Sequence, residues 1–107
     1  MTKLVNCRDS HYDVFIGKTN SELHFGNPFG HVSYILPDIK VKSREEAVTN
    51  YEKWLLGKDF LDLDQKRRKW ILSQLPLLEN KILGSHNPPL RCHGEVLIKL
   101  IENYEAL

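Results

Sequence analysis

Three side chains capable of chemistry lie close together near the C-terminus of the 107-residue chain: Cys92, His93 and Glu95. They follow a short apolar run at 81–83 that predicts a buried strand, and they begin a stretch with the apolar spacing of a helix. A helix N-terminus offers free N–H groups and the positive end of the macrodipole, which favour an anion or a thiolate. We therefore expect the functional site here, and in a catalytic site Glu95 would act as base or nucleophile and His93 as acid.

The same residues also have structural interpretations. Cys92 would be a small buried residue at a strand–helix junction. Glu95 would be a first-turn acid that the helix dipole stabilises. Because Cys7 falls in a predicted buried strand, we expect Cys92 to be the cysteine that reacts first with a thiol reagent.

Further polar residues are predicted to surround this helix start. Asn27, in an Asn-Pro-Phe turn, would either bond the local backbone or face a base or sugar. Arg44 lies in the first turn of a predicted helix, where the positive end of the helix dipole repels a cation. This indicates that Arg44 has an anionic partner elsewhere, either a carboxylate such as Asp13 or a ligand phosphate. The full set of predicted ligand-binding residues is Lys18, Asn27, Arg44, Ser85, Asn87 and Cys92.

The elements that would position these residues follow from local signals. Ser43-Arg44-Glu45-Glu46 is a capping box that predicts a helix ending near Gly57. A second helix is predicted at 63–75 with Pro76 near its end, and a third carries an apolar face as far as Tyr104. Runs at 4–7 and 13–17 predict strands, and 31–36 predicts a short extended piece.

This order of elements predicts a small Rossmann-like α/β fold, with residues 1–107 as a single domain. Its short, mostly parallel sheet would be flanked by about three helices, in two or three layers. In open parallel sheets ligands bind beyond the carboxyl ends of the strands, which is where the loop at 85–95 would lie.

Composition narrows the class of protein. Hydrophobic residues make up 41% and charged residues 27% of the chain, as in ordinary globular domains. The formal net charge is +1, and the only dense basic run in the sequence is at 66–69. This run is typical of a solvated helix face. We therefore do not expect nucleic acid as a partner. No stretch is apolar for long enough to span a membrane. With two cysteines and no secretory signal, we expect reduced thiols and a cytoplasmic location.

Several motifs occur in the order seen in domain-of-unknown-function family 4326, a family of small proteins of bacteriophages and bacteria. The motifs are Val5-Asn6, Asp13-Val14-Phe15-Ile16-Gly17-Lys18, Gly26-Asn27-Pro28-Phe29, Arg44-Glu45-Glu46-Ala47, Tyr51, Trp54-Leu55 and Cys92-His93-Gly94-Glu95-Val96-Leu97. The resemblance covers nearly the whole chain, but it implies no established activity.

The chain departs from the family pattern at several positions. Lys18 stands where the family usually has Arg. The replacement keeps the positive charge but loses the two parallel hydrogen bonds that a guanidinium can donate to a carboxylate or phosphate. Ser85 and Asn87 stand where relatives often carry a Cys-x-Cys, so tetrahedral zinc ligation cannot be built from this loop, and we predict neither a metal nor a cofactor. His86 replaces an aromatic residue, and we expect it to be exposed.

Two hypotheses about function follow. In the first, the protein binds a nucleotide, nucleoside or related phosphorylated metabolite, with the phosphate near the Cys92 helix start and Lys18 or Arg44. A catalytic version would cleave or transfer at an N-glycosidic or phosphoester bond. In the second, it is a phage factor that binds a host protein, and the motifs serve the fold; a large exposed apolar patch would favour this.

Overall fold

A computed structural model describes residues 1–30, 39–88 and 90–103. The elements in chain order are β1 (Lys3–Asn6), β2 (Val14–Phe15), β3 (Phe29–Gly30), β4 (Ile39–Lys40), α1 (Arg44–Leu55), α2 (Gln65–Leu78), β5 (Ile82–Ser85) and α3 (His93–Glu102). The extended piece predicted at 31–36 and the predicted helical position Tyr104 lie outside the described residues.

The strands form two short parallel sheets. The larger sheet has the order β1-β5-β2, with Asn6 opposite Ser85 and Phe15 opposite Gly84. The smaller sheet pairs β3 with β4. The predicted small α/β fold with a parallel sheet and three helices is therefore confirmed. The finer Rossmann-like pattern is not confirmed, because turns at 7–13 rather than a helix join β1 to β2.

Local signals set the helix boundaries closely for α1 and less closely for α2. The Ser43 hydroxyl accepts a hydrogen bond from the Glu46 N–H at 3.1 Å, and Gly57 follows α1 in the left-handed region at φ 70°. Pro76 lies near the end of α2, as predicted, but inside the helix, which runs from Gln65 to Leu78 instead of over 63–75. Leu75 and Leu78 are both buried, so packing holds the last turn although proline cannot donate a backbone hydrogen bond there.

Helices α1 and α3 run parallel to each other. At their starts, Arg44 donates from Nη1 to the Arg91 carbonyl at 3.4 Å, and further along each helix Lys99 pairs with Glu52 at 2.9 Å. Only a short loop separates β5 from α3, so α3 begins near the carboxyl end of β5. Both helix N-termini therefore lie beside the carboxyl ends of the sheet strands.

The two faces of the larger sheet are covered differently. On one face, Gly94 of α3 lies so close to the side chains of Leu4 and Ile16 that a β-carbon would overlap them, at 2.6 and 2.8 Å. On the other face the Tyr12 ring covers Gly84 in the same way, at 2.6 Å. The sheet thus packs α3 on one side, and the segment between β1 and β2 folds back over the other.

One buried cluster joins both sheets to all three helices. It includes Ile16, Phe29, Trp54, Ile71, Leu75, Leu83 and Leu97. Strand β5 extends beyond the predicted 81–83 and ends at Ser85, which is buried and belongs to the strand, not to the loop. Within residues 1–30, 39–88 and 90–103, no helix has both the length and the apolar character that crossing a membrane requires.

Candidate functional site

Cys92 is the N-cap of α3 and is only 2% exposed. Its sulfur accepts a hydrogen bond from the Gly94 N–H at 3.4 Å and contacts the Ser85 side chain. Burial raises the pKa of the Cys92 thiol, and these hydrogen bonds lower it by less. Cys92 is therefore a neutral, enclosed thiol, and this burial argues against the expectation that it is the more reactive of the two cysteines.

His93 is also buried, at 6% exposure. Its Nε2 lies 2.6 Å from the Ile16 carbonyl oxygen, and since a carbonyl only accepts, this nitrogen carries the proton. The ring meets the Tyr51 ring edge-on, with 5.1 Å between centroids. Burial lowers the pKa of His93 to about 4, so the imidazole is neutral at pH 7 and its N–H is committed to the backbone. This arrangement supports the fold and leaves no proton placed for general-acid catalysis.

Glu95 completes a capping box with Cys92. Its Oε2 accepts the Cys92 N–H at 3.0 Å, while Oε1 lies 3.7 Å from Nε of Arg91. About half of the side chain is exposed, and the carboxylate is turned back toward the residue preceding the helix. These contacts favour the structural interpretation of Glu95, and His93 and Glu95 serve different parts of the backbone.

The loop residues predicted to bind a ligand are placed in different ways. Asn27 donates from Nδ2 to the Ala47 carbonyl and accepts the Phe29 N–H at Oδ1, both at 2.9 Å, so its amide follows the local-backbone interpretation. Lys18 is exposed just beyond β2, where its backbone lies against Gly26. Asn87 accepts the Leu90 N–H at its own carbonyl, 2.8 Å away, and so shapes the loop before α3.

Arg44 has an unusual environment for a half-buried cation. Within the described part of the chain, its side chain donates a hydrogen bond to the Arg91 carbonyl and belongs to none of the ion pairs. The carboxylate partner considered from the sequence, Asp13, instead accepts the N–H of Ile82, the first residue of β5, at 2.8 Å. Arg91 pairs with Glu45 and lies near Glu95. Arg44 is thus a cation at two adjacent helix N-termini with no carboxylate among its described contacts.

Sequence reasoning missed the role of Arg67, which lies in the basic run that was predicted to be a solvated helix face. Its side chain is 1% exposed, donates from Nη1 to the carbonyls of His24 and Gly26 at 3.0 and 2.7 Å, and lies 5.0 Å from the centre of the Trp54 ring. Nε donates to Asp64 at 3.0 Å, whereas Nη2 is buried and has no hydrogen-bond partner among the described residues. The spacing of Arg67 from Ile71, Leu75 and Leu78 places it on the buried helix face, and this signal was available in the sequence.

A thiol and an imidazole that the sequence did not connect meet beyond β1 and β5. Cys7 Sγ lies 3.4 Å from Nδ1 of His86. Cys7 is half-buried, although its predicted strand would have buried it, and His86 is exposed as expected. The His86 ring packs edge-on against Phe15, with 5.4 Å between centroids.

Apart from the predicted residues, the described part of the chain has a groove but no cluster of metal ligands. A groove of about 290 Å³ runs along the flank of α1, where Glu52, Lys53 and Arg91 place charges of both signs around Val48 and Leu56. Across the described residues, no three His, Cys, Asp or Glu side chains are grouped as metal ligands would be.

Comparison with known proteins gives one match. Neither a curated protein nor a solved structure matches the chain. The model of one family, described as Domain of unknown function (DUF4326), matches residues 2–103. Because the match covers almost the whole chain, including β1, α1 and the capped start of α3, the protein belongs to the DUF4326 family.

Proposed function

We propose that this protein binds a phosphate-bearing small molecule, such as a nucleotide or a related phosphorylated metabolite, at the adjacent N-termini of α1 and α3. The observation that carries the proposal is Arg44, which is half-buried and whose hydrogen bond, among the described residues, goes to a neutral carbonyl. The positive end of the helix dipole repels a guanidinium in the first turn. An anion bound by both the guanidinium and the helix N-terminus would replace this repulsion with two attractive interactions.

The surroundings of Arg44 support this location. Two parallel helices direct the positive ends of their dipoles to the same place, beside the carboxyl ends of a parallel sheet. Three acids lie in the first turns of the two helices: Glu45 and Glu95 face Arg91, and Glu46 accepts the Lys42 N–H at 3.3 Å. Lys18, which is exposed beyond β2, would be a second cation that attracts the phosphate.

The proposal is for binding and assigns no chemical step to the Cys-His-Gly-Glu segment. Cys92 and His93 are enclosed, and Glu95 caps a helix. A reaction at this site would need acid–base groups other than these three.

The test is a thermal-shift and calorimetry series with AMP, ribose 5-phosphate, inorganic phosphate and adenosine. A ligand at a hundred times its Kd adds about 2.7 kcal/mol of apparent stability. We expect stabilisation by at least one of the phosphorylated compounds and little by adenosine. Arg44→Gln should weaken that binding about tenfold or more, since charge-assisted hydrogen bonds contribute about 1.5–3 kcal/mol.

A matched variant separates a specific site from general charge attraction. Lys69→Gln removes one positive charge from the exposed face of α2 and should leave binding unchanged. If Arg44→Gln and Lys69→Gln weaken phosphate binding equally, the cation is not part of a site. If none of the phosphorylated compounds stabilises the protein, the proposal is wrong, and the hypothesis of a factor that binds a host protein becomes the better one.

A further inference from the structure

Cys7 and His86 are brought together by the pairing of two neighbouring strands. Cys7 follows β1 and His86 follows β5, and these strands are parallel and adjacent. The Cys7 N–H donates to the Ser85 carbonyl at 2.9 Å. Asn6 donates from Nδ2 to the carbonyls of His86 and Pro88, at 3.2 and 2.8 Å. The backbone on both sides of the pair is therefore fixed by contacts that do not involve the side chains of Cys7 and His86.

The side chains then meet at hydrogen-bonding distance. Sγ of Cys7 and Nδ1 of His86 are 3.4 Å apart, and the Phe15 ring packs edge-on against the imidazole. Cys7 is half-buried and His86 is exposed, so the pair lies at the surface, where a small molecule in solvent can approach it. A thiol next to a base that can take its proton is the arrangement that activates cysteine as a nucleophile.

We propose that Cys7 and His86 form a reactive thiol–imidazole pair that undergoes exchange with low-molecular-weight disulfides. The Cys7 proton passes to Nδ1 of His86, and the sulfur attacks one sulfur of the disulfide. The disulfide bond breaks as a new one forms to Cys7. The departing thiolate takes the proton from His86 and leaves as a thiol, so that Cys7 is oxidised and one half of the reagent is reduced.

The product is a stable mixed disulfide, because no second cysteine is placed to displace the adduct. The other cysteine of the chain, Cys92, is 2% exposed, and its sulfur accepts a hydrogen bond from the Gly94 N–H at the start of α3. This enclosed thiol also provides a reference inside the same molecule, since it shares every condition of the experiment except its surroundings.

The experiment treats the intact folded protein with glutathione disulfide at pH 7 and follows the adduct by mass spectrometry. Tryptic peptides 4–8 and 92–99 separate the two cysteines. We expect one adduct per chain, on 4–8, formed at least tenfold faster than any on 92–99. An unassisted thiol is only a few per cent thiolate at neutral pH, so loss of the base in His86→Phe should slow the Cys7 reaction by about tenfold. Phenylalanine keeps a ring against Phe15.

Two controls keep the outcome decisive. His86→Gln removes the base without adding apolar bulk that would shield the sulfur, and it should slow the reaction as His86→Phe does. The isolated peptide of residues 4–8 gives the rate of the same cysteine without its histidine. The proposal is overturned if folded Cys7 reacts no faster than this peptide, or if both variants react at the rate of the wild-type protein.

Discussion

His93 illustrates, at the scale of single residues, how burial decides what a side chain can do. The residue types of Cys92, His93 and Glu95 favoured acid–base or nucleophilic chemistry, but the structure gives each of them a backbone partner. Burial disfavours the charged form of the imidazole, and the hydrogen bond to the Ile16 carbonyl offsets only part of this effect. His93 therefore makes the stability of the fold depend on pH.

The pKa of His93 is lowered from 6.5 to about 4 on folding. Between these values the unfolded chain binds a proton that the folded chain does not, so the free energy of unfolding falls as the pH falls through this window. The loss should reach about 3 kcal/mol near pH 4, at 1.36 kcal/mol for each unit of pKa difference. Above pH 6.5 this contribution is fully present. Urea unfolding at pH 7.5, 5.5 and 4.5 measures it.

His93→Asn provides the comparison for this prediction. It should cost about 1–3 kcal/mol at pH 7.5, because the Ile16 carbonyl loses its buried donor. The gap between the variant and the wild type should narrow as the pH falls, since asparagine does not titrate. Parallel stability curves over the whole range would show that His93 is not the group responsible.

At the scale of elements, the start of α3 is a helix cap made by a thiol. Cys92 accepts the Gly94 N–H, and Glu95 reaches back to the Cys92 N–H. Serine is a better cap acceptor than a thiol, whereas alanine has no acceptor at all. The resemblance of this segment to a catalytic motif is therefore compatible with a purely structural role.

Cys92→Ala should lower the free energy of unfolding by about 1 kcal/mol or more, and Cys92→Ser should lower it by less. The serine hydroxyl keeps an acceptor for Gly94 and a partner for Ser85. Ser43→Ala, at the equivalent position of α1, gives the cost of a typical cap in the same protein. Guanidinium unfolding curves of the three variants measure how much each one lowers the free energy of unfolding. If serine is as damaging as alanine, packing of the sulfur and not capping is what Cys92 contributes.

At the scale of the whole molecule, Arg67 connects parts of the chain that are far apart in sequence. It lies in α2, donates to the backbone at His24 and Gly26, and packs over Trp54 of α1. Removing its guanidinium takes this donor away from the two carbonyls and leaves a gap beside Trp54, a member of the buried cluster. Because that cluster includes residues of all three helices, the damage should spread through the fold.

Arg67→Met should lower the free energy of unfolding by about 2–4 kcal/mol, since each buried polar group left without a partner costs about 1–3 kcal/mol. Lys69→Met, on the exposed face of the same helix, should stay within about 0.5 kcal/mol of the wild type. Tryptophan fluorescence and far-ultraviolet circular dichroism should report the same transition for Arg67→Met. An unchanged midpoint would mean that neighbouring groups satisfy the two carbonyls without Arg67.

The sequence alone determined the local features: the capped start of α1, the parallel α/β class, and the helix that begins after Cys92. These depend on hydrogen bonds and apolar spacing within a few residues, which a sequence displays directly. Only the tertiary structure decided that Arg67 is buried, that Arg44 has no carboxylate partner in the described chain, and that Cys7 meets His86. Each of these depends on which strands and helices become neighbours, and β5 lies between β1 and β2 through contacts that span most of the chain.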